Sequence, residues 1–226
     1  ILLASTITCF AFFISSSFDL PVMMVSLLIG MIFNFIGGKE VFEKGVDFSA
    51  SQMLRFGVAL LGFRLSIENV TNLGYVSIGF TIILVFATFF TGIFISYLFK
   101  NKLAIGCLIA GSVAICGASA ALAVSTVIPK KKIEEKDILF VILGVTILST
   151  IAMVIYPLLS KLLEMPDIVS GYLMGSTIHD VAQVVGAGYS IGEEAGIIAT
   201  FVKMIRVATL PFIVILTSYM FNKNQT

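Results

Sequence analysis

Residues 138–163 read ILFVILGVTILSTIAMVIYPLLSKLL, and Lys161 is the one charged residue in this stretch. A helix needs about 20 apolar residues to cross the hydrocarbon core of a bilayer. The whole chain has the same character, because 58% of its 226 residues are hydrophobic, 12% are charged and the mean hydropathy is +1.09. Soluble domains carry roughly twice that fraction of charge. The sequence therefore predicts an all-α, polytopic transmembrane helix bundle.

The pattern of apolar runs predicts about eight segments and a single transmembrane domain over 1–226. Short polar stretches separate the runs, and none of them is long enough to form a domain of its own. The predicted segments are 1–17, 20–38, 49–66, 74–99, 103–128, 138–163, 168–189 and 195–221.

The lysines between the segments give conflicting indications of orientation. Lys39 with Lys44, Lys100 with Lys102, and the run 130–132 would all lie in the cytoplasm by the positive-inside rule. Strict alternation of eight crossings puts the third group on the opposite side from the first two. Either segment 103–128 does not cross simply, or the neighbouring acids mislead the count, and both interpretations stay open.

The composition excludes several classes of function. A net charge of +1 predicts no nucleic-acid binding, which needs a concentrated basic face. Cys9, Cys107 and Cys116 have no paired spacing, and His179 is the single histidine. We therefore predict no metal site and no cofactor. No catalytic motif is evident, so the chain is not predicted to be an enzyme.

A stretch of small residues interrupts the segment 103–128. Residues 111–120 read GSVAICGASA, with polar side chains at Ser112, Cys116 and Ser119. Such residues favour either a face where two helices pack closely or a break in the helix, and both interpretations stay open. A break would start a new helix inside the membrane, where its free N–H groups could bind an anion.

A second stretch, residues 175–183, reads GSTIHDVAQ and lies within the segment 168–189. His179 and Gln183 share one helix face, as do Ser176 and Asp180. Ionisable residues inside an apolar segment are costly and usually functional, although a helix end in water would also accommodate them. The Gly-Ser start common to both stretches is consistent with an internal repeat.

Two pairs of cations lie inside apolar segments. Lys203 and Arg206 are three residues apart and too deep in 195–221 to reach water easily. A guanidinium suits the oxygens of sulfate, sulfonate, phosphate or carboxylate, whereas the alternative is pairing with Asp180 or with backbone carbonyls. For Arg55 and Arg64, a structural role is at least as well supported as binding.

Four blocks of sequence, taken in order, resemble the sulfate exporter family, also called YeiH-like membrane proteins. The blocks are LRFGVALLGFRL at 54–65, ICGASA at 115–120, GSTIHDVAQVV at 175–185 and KMIRV at 203–207. The resemblance implies a multi-pass protein of the bacterial inner membrane, similar in design to the bile acid, arsenite and riboflavin transporters. It also implies two broken helices that cross at mid-membrane and an inverted repeat. Family members continue past residue 221, so the repeat is expected to be incomplete here.

The resemblance and the residues together predict a secondary transporter of a small anion such as sulfate or an organosulfonate. Coupling to a proton or to sodium stays open, as does a homo-oligomer. A membrane-embedded enzyme that uses His179 and Asp180, and a scaffold subunit that transports nothing, are the alternatives. Residues expected in coupling or charge pairing are Asp180, Lys203 and Arg55. Residues expected to bind the substrate are Ser112, Cys116, Gly117, Ala118, Ser119, Ser176, Thr177, His179, Gln183 and Arg206.

Overall fold

A computed structural model describes residues 2–18, 22–33, 45, 48–53, 56, 57, 60 and 67–222. Every regular element in this part of the chain is helical, including a short π-helical turn at Ser49–Met53. The prediction of a helical bundle is confirmed. The α-helices are α1 Leu2–Phe18, α2 Val22–Ile32, α3 Ile67–Leu98, α4 Leu103–Ala114, α5 Ala118–Val127, α6 Glu135–Leu162, α7 Asp167–Thr177, α8 Val181–Tyr189, α9 Glu193–Ala208 and α10 Leu210–Asn222.

Within the described residues, three stretches are long and apolar enough to cross a membrane: Tyr75–Leu98 within α3, the whole of α6, and Glu193–Asn222. The third stretch comprises α9 and α10, which the sequence predicted as one helix. The structure interrupts it at Thr209, two residues before Pro211. Proline has no N–H to continue the helical ladder and its ring crowds the preceding turn, so it locally distorts the helix.

Segment 103–128 consists of two helices that fold back on each other. A Cβ atom on Gly111 in α4 would lie 2.9 Å from Cγ2 of Val124 in α5. In one continuous helix these two residues would lie about 20 Å apart. The chain therefore reverses over residues 115–117, where Gly117 has a φ of +66° that favours glycine. We call Leu103–Val127 hairpin 1.

Segment 168–189 folds back in the same way. In α7, Gly171 contacts Ala195 and Gly175 contacts Ala199, so α7 runs parallel to α9. In α8, Gly188 also contacts Ala195 and Ala199, although it lies after the reversal. Because α7 and α8 lie beside the same half of α9, the chain reverses at residues 178–180. We call Asp167–Tyr189 hairpin 2.

The predicted interruptions are thus confirmed at both places, but their geometry differs from that of broken helices that continue across the membrane. The tips of the hairpins meet halfway along α6. A Cβ on Gly117 would lie 3.4 Å from Val145, and Ser149 accepts hydrogen bonds from the N–H groups of His179 and Asp180. Each hairpin buries its own backbone ends against neighbouring helices, which makes non-spanning segments tolerable at this depth.

The two hairpins enter from opposite ends of the bundle. At the lysine-rich end, the turn before hairpin 1 carries Lys100 and Lys102, and the loop after it carries residues 130–132. At the acidic end, Gly192 lies against Asp167 at the base of hairpin 2. A span followed by a hairpin therefore occurs twice with opposite orientation, as α3 with hairpin 1 and α6 with hairpin 2. This arrangement is an inverted repeat.

The reversal in hairpin 1 removes the conflict between the second and third lysine groups, whereas Lys39 and Lys44 lie outside the described residues. Because segment 103–128 returns to the end from which it entered, Lys100, Lys102 and residues 130–132 lie on one side. Lys132 lies over the ring of Phe221, which places the end of α10 there as well. By the positive-inside rule, we expect the lysine-rich end to face the cytoplasm.

This topology predicts a pattern of chemical labelling. Single cysteines replacing Lys100 and Lys131, in a variant without the native cysteines, are expected to react with an impermeant maleimide from the cytoplasmic side. Cysteines replacing Glu164 and Glu194 are expected to react from the opposite side. Labelling of Lys100→Cys and Lys131→Cys from different sides would show that segment 103–128 crosses the membrane.

Candidate functional site

Lys203 of α9 lies between the tips of the two hairpins. Its side chain is completely buried. The ammonium group donates hydrogen bonds to the carbonyl oxygen of Ile115 at 2.6 Å and to that of Ile178 at 3.0 Å. Since Ile115 belongs to hairpin 1 and Ile178 to hairpin 2, one lysine joins the two turns.

Arg206, one helical turn further along α9, makes the same connection with a planar fork. Its Nε donates to the carbonyl of Ala114 at 3.1 Å, and Nη2 donates to Ala114 at 2.8 Å and Val113 at 2.9 Å. Its Nη1 donates to Ser176 at 2.6 Å and Gly175 at 3.2 Å. A guanidinium has five N–H donors, so these bonds use all of them.

Lys203 and Arg206 satisfy backbone carbonyl oxygens that the two hairpins leave unpaired. The last carbonyl oxygens of α4 and α7 have no intrahelical partner, and the negative ends of both helix dipoles point to the same place. Away from water, such groups need another donor. Lys203 and Arg206 supply both the donors and the compensating charge. The structure thus shows the alternative of pairing with backbone carbonyls, and in this conformation Arg206 has no donor left for a substrate.

The N-terminus of α8 is closed by protein groups. Asp180 caps the helix, because its Oδ1 accepts from the N–H of Ala182 at 2.8 Å and from that of Gln183 at 3.2 Å. The N–H groups of His179 and Asp180 itself both donate to Oγ of Ser149 at 3.1 Å. The charge-pairing role expected for Asp180 is therefore, in this structure, that of a helix cap.

The N-terminus of α5 is open. Its N-cap is Gly117, which has no side chain to accept a hydrogen bond. The N–H groups of Ala118, Ser119 and Ala120 have no acceptor among the described residues. Ser119 is exposed, and its hydroxyl lies 2.8 Å from Sγ of Cys116. Free N–H groups at the positive end of a helix dipole form a site suited to an anion.

Two side chains of hairpin 2 add polar atoms beside this opening. A Cβ on Gly117 would lie 3.2 Å from Cβ of His179, so the imidazole adjoins the start of α5. Within the described part of the chain, Nδ1 of His179 and Oε1 of Gln183 are buried and have no hydrogen-bond partner. The amide nitrogen of Gln183 donates to Oγ1 of Thr150 at 3.0 Å, which fixes the side chain. These atoms are available to a ligand or to water.

Comparison with known proteins supports the membrane assignment. The family described as "Conserved hypothetical protein 698" matches residues 1–226. The chain belongs to this family. A UPF0324 membrane protein of Rhizobium meliloti is 39% identical over 96% of this chain and 63% of its own length. UPF0324 membrane protein TauZ of Paracoccus pantotrophus is 44% identical over 90% of this chain and 60% of its own. A UPF0324 membrane protein of Bacteroides thetaiotaomicron is 32% identical over 97% of this chain and 68% of its own length.

The UPF0324 assignment confirms the resemblance drawn from the four sequence blocks. The chain spans about three fifths of the length of the first relatives it matches. No solved structure matches it significantly.

The fold of this UPF0324 chain gathers most of the predicted site residues near the hairpin tips, but some of their side chains bond within their own helices. Around the hairpin tips it gathers Cys116, Gly117, Ala118, Ser119, His179 and Gln183. The hydroxyls of Ser112, Ser176 and Thr177 instead bond to carbonyls of their own helices. Arg55 lies outside the described residues. Each binding role remains a prediction.

Ser149 and Thr150 of this UPF0324 protein were missed by the sequence analysis. Both lie in α6, where they hold the tip of hairpin 2 through the backbone at His179 and the side chain of Gln183. The signal available was a pair of adjacent hydroxyl residues in the middle of the apolar run 138–163. Hydroxyl residues often bond to their own helix, so the pair alone did not indicate a partner 30 residues away.

Proposed function

We propose that this protein forms the core of a secondary transporter that moves a small anion, such as sulfate or an organosulfonate, across the bacterial inner membrane. The proposal is carried by one observation. Two hairpins of opposite orientation meet halfway through the spans, beside a helix N-terminus whose donors have no acceptor among the residues that the structure describes. Mid-membrane helix ends of this kind are common binding elements in transporters with inverted repeats.

In this proposal the residues divide into two groups. The backbone N–H groups of Ala118 and Ser119, with the Ser119 hydroxyl, bind oxygens of the anion. The unpaired Nδ1 of His179, as an N–H, donates to the opposite side of the ligand, whereas Oε1 of Gln183 is an acceptor and binds a water molecule beside the anion. Lys203 and Arg206 are positioning residues that hold the two tips together, and their charge makes the surroundings favourable to an anion.

The opposite entry of the hairpins supports alternating access. Each hairpin covers the site from its own side of the membrane, so displacement of one hairpin exposes the site to that side alone. Small residues of hairpin 2 pack closely against small residues of α9, and hairpin 2 can move along this surface. Protons or sodium ions can drive the cycle. Both forms of coupling stay open, as does a homo-oligomer.

Replacing Ser119 by aspartate is expected to reduce uptake of labelled sulfate or ethanesulfonate by at least ten-fold in proteoliposomes containing the full-length protein. The new carboxylate would occupy the anion site and repel the substrate. An acid in the first turn also stabilises a helix by about 0.3–1 kcal/mol, so folding should not suffer. Transport and the apparent melting temperature would both be measured.

Ser119→Asn provides the matched control, because asparagine has nearly the same shape as aspartate but carries no charge. We expect its uptake to stay within about three-fold of the wild type, because the asparagine amide keeps an N–H donor for the anion and adds no charge. Equal uptake by the aspartate and asparagine variants would contradict an anion site at the start of α5. Absence of uptake of either anion by the wild-type protein would contradict the proposed substrates.

A further inference from the structure

Two cavities flank the end of α3 at the lysine-rich end. One has a volume of about 300 Å³ and is lined by Phe90, Phe94 and Tyr97 on α3. The other has a volume of about 360 Å³ and runs along the opposite side of the α3–α4 seam as far as Val113. Both are mainly apolar, and both end at the same two polar residues, Ser96 and Asn101.

Polar groups converge where the two cavities meet. Ser96 is 7% exposed, and its hydroxyl has no partner among the described residues. The first turn of α4 begins after Lys102, and no side chain caps it. Lys100 and Lys102 are exposed on either side of Asn101. A helix N-terminus, a buried unpaired hydroxyl and two lysines together are complementary to a phosphate group.

We propose that an anionic phospholipid of the cytoplasmic leaflet binds here. Its phosphate lies at the N-terminus of α4 between Lys100 and Lys102, and its two acyl chains lie in the two cavities. The division of the site supports this assignment, because one polar junction joins two separate apolar grooves. A free anion would leave both grooves unfilled, and a packed helix would leave the lysines and the buried hydroxyl without a partner. The site is independent of the transport proposal.

Native mass spectrometry of the full-length protein would test the proposal with two lipids that differ only in headgroup. Dioleoylphosphatidylglycerol should be retained at one molecule per chain and bind at least ten-fold more tightly than dioleoylphosphatidylcholine. In the double variant Lys100→Gln/Lys102→Gln this preference should be lost, since each lysine near anionic lipid contributes enough that two account for roughly thirty-fold in affinity. Ser96→Ala should weaken phosphatidylglycerol binding by a few-fold without altering the fold.

The matched control is Lys130→Gln/Lys131→Gln, which removes the same charge from the other loop at the lysine-rich end. It should retain the wild-type preference. If both double variants lost the preference for phosphatidylglycerol equally, the preference would come from general surface charge, and this would contradict the proposed site. Displacement of the lipid by 10 mM inorganic phosphate would identify a free-anion site instead. Unchanged lipid binding after Thr91→Trp, which fills the second groove, would also overturn the proposal.

Discussion

Arg206→Ala is expected to abolish anion uptake and to lower the stability of the protein. The substitution removes five hydrogen bonds that join α9 to the ends of α4 and α7. Four carbonyl oxygens would lose a charged donor at once. Each largely buried unsatisfied group costs about 1–3 kcal/mol, and water that enters offsets part of this, so we expect a total of about 3–5 kcal/mol. Uptake in proteoliposomes and thermal unfolding in detergent would measure the two effects.

Two further variants separate the role of the planar guanidinium group of Arg206 from the role of its charge. Arg206→Lys keeps the charge but cannot bond to both hairpins at once, because an ammonium is a compact point donor. It should restore part of the stability and little of the transport. Lys161→Ala removes an exposed cation from the end of α6 and should change neither property. Wild-type uptake by Arg206→Ala would show that the carbonyl contacts are dispensable.

Gly175→Ala is expected to displace hairpin 2 from α9. The added Cβ would lie 2.5 Å from the carbonyl oxygen of Ala199 and 2.8 Å from Cβ of Val202, distances that no side-chain rotation relieves. Forcing atoms into a packed interface costs about 1–3 kcal/mol. Since Gly175 also presents its carbonyl to Arg206, the displacement should disturb the tip. We expect a lower melting temperature and a loss of uptake of at least ten-fold.

Gly144→Ala makes the identical chemical change at a site in α6 where a Cβ would meet nothing within 4 Å. Alanine is the better helix former, so this variant should be neutral or more stable by up to about 1 kcal/mol. Its uptake should match the wild type. If Gly175→Ala behaved like Gly144→Ala, the close contact between α7 and α9 would not be essential to the transporting state.

The sequence predicted much of the candidate site, because polar residues inside apolar segments are rare and can be recognised from composition. The stretches 111–120 and 175–183 stood out by composition, and the structure interrupts the helix in both. Lys203 and Arg206 stood out by their depth, and both are buried. Their partners did not follow, because a lysine that needs acceptors gives no indication of which carbonyls will provide them. Ile115 and Ile178, which accept from Lys203, lie 88 and 25 residues away.

The sequence by itself determined the class of protein, the positions of both interruptions and the presence of buried cations. These depend on local hydropathy and on the cost of placing polar groups in lipid, which can be evaluated residue by residue. Only the tertiary structure decided that each interrupted segment reverses direction. A run the length of 103–128 can either cross the bilayer or fold back to its midpoint, because both arrangements bury the same apolar residues. The choice depends on contacts such as Gly111 with Val124 and on the two cations that satisfy the exposed carbonyls, and those contacts exist only once the helices have packed.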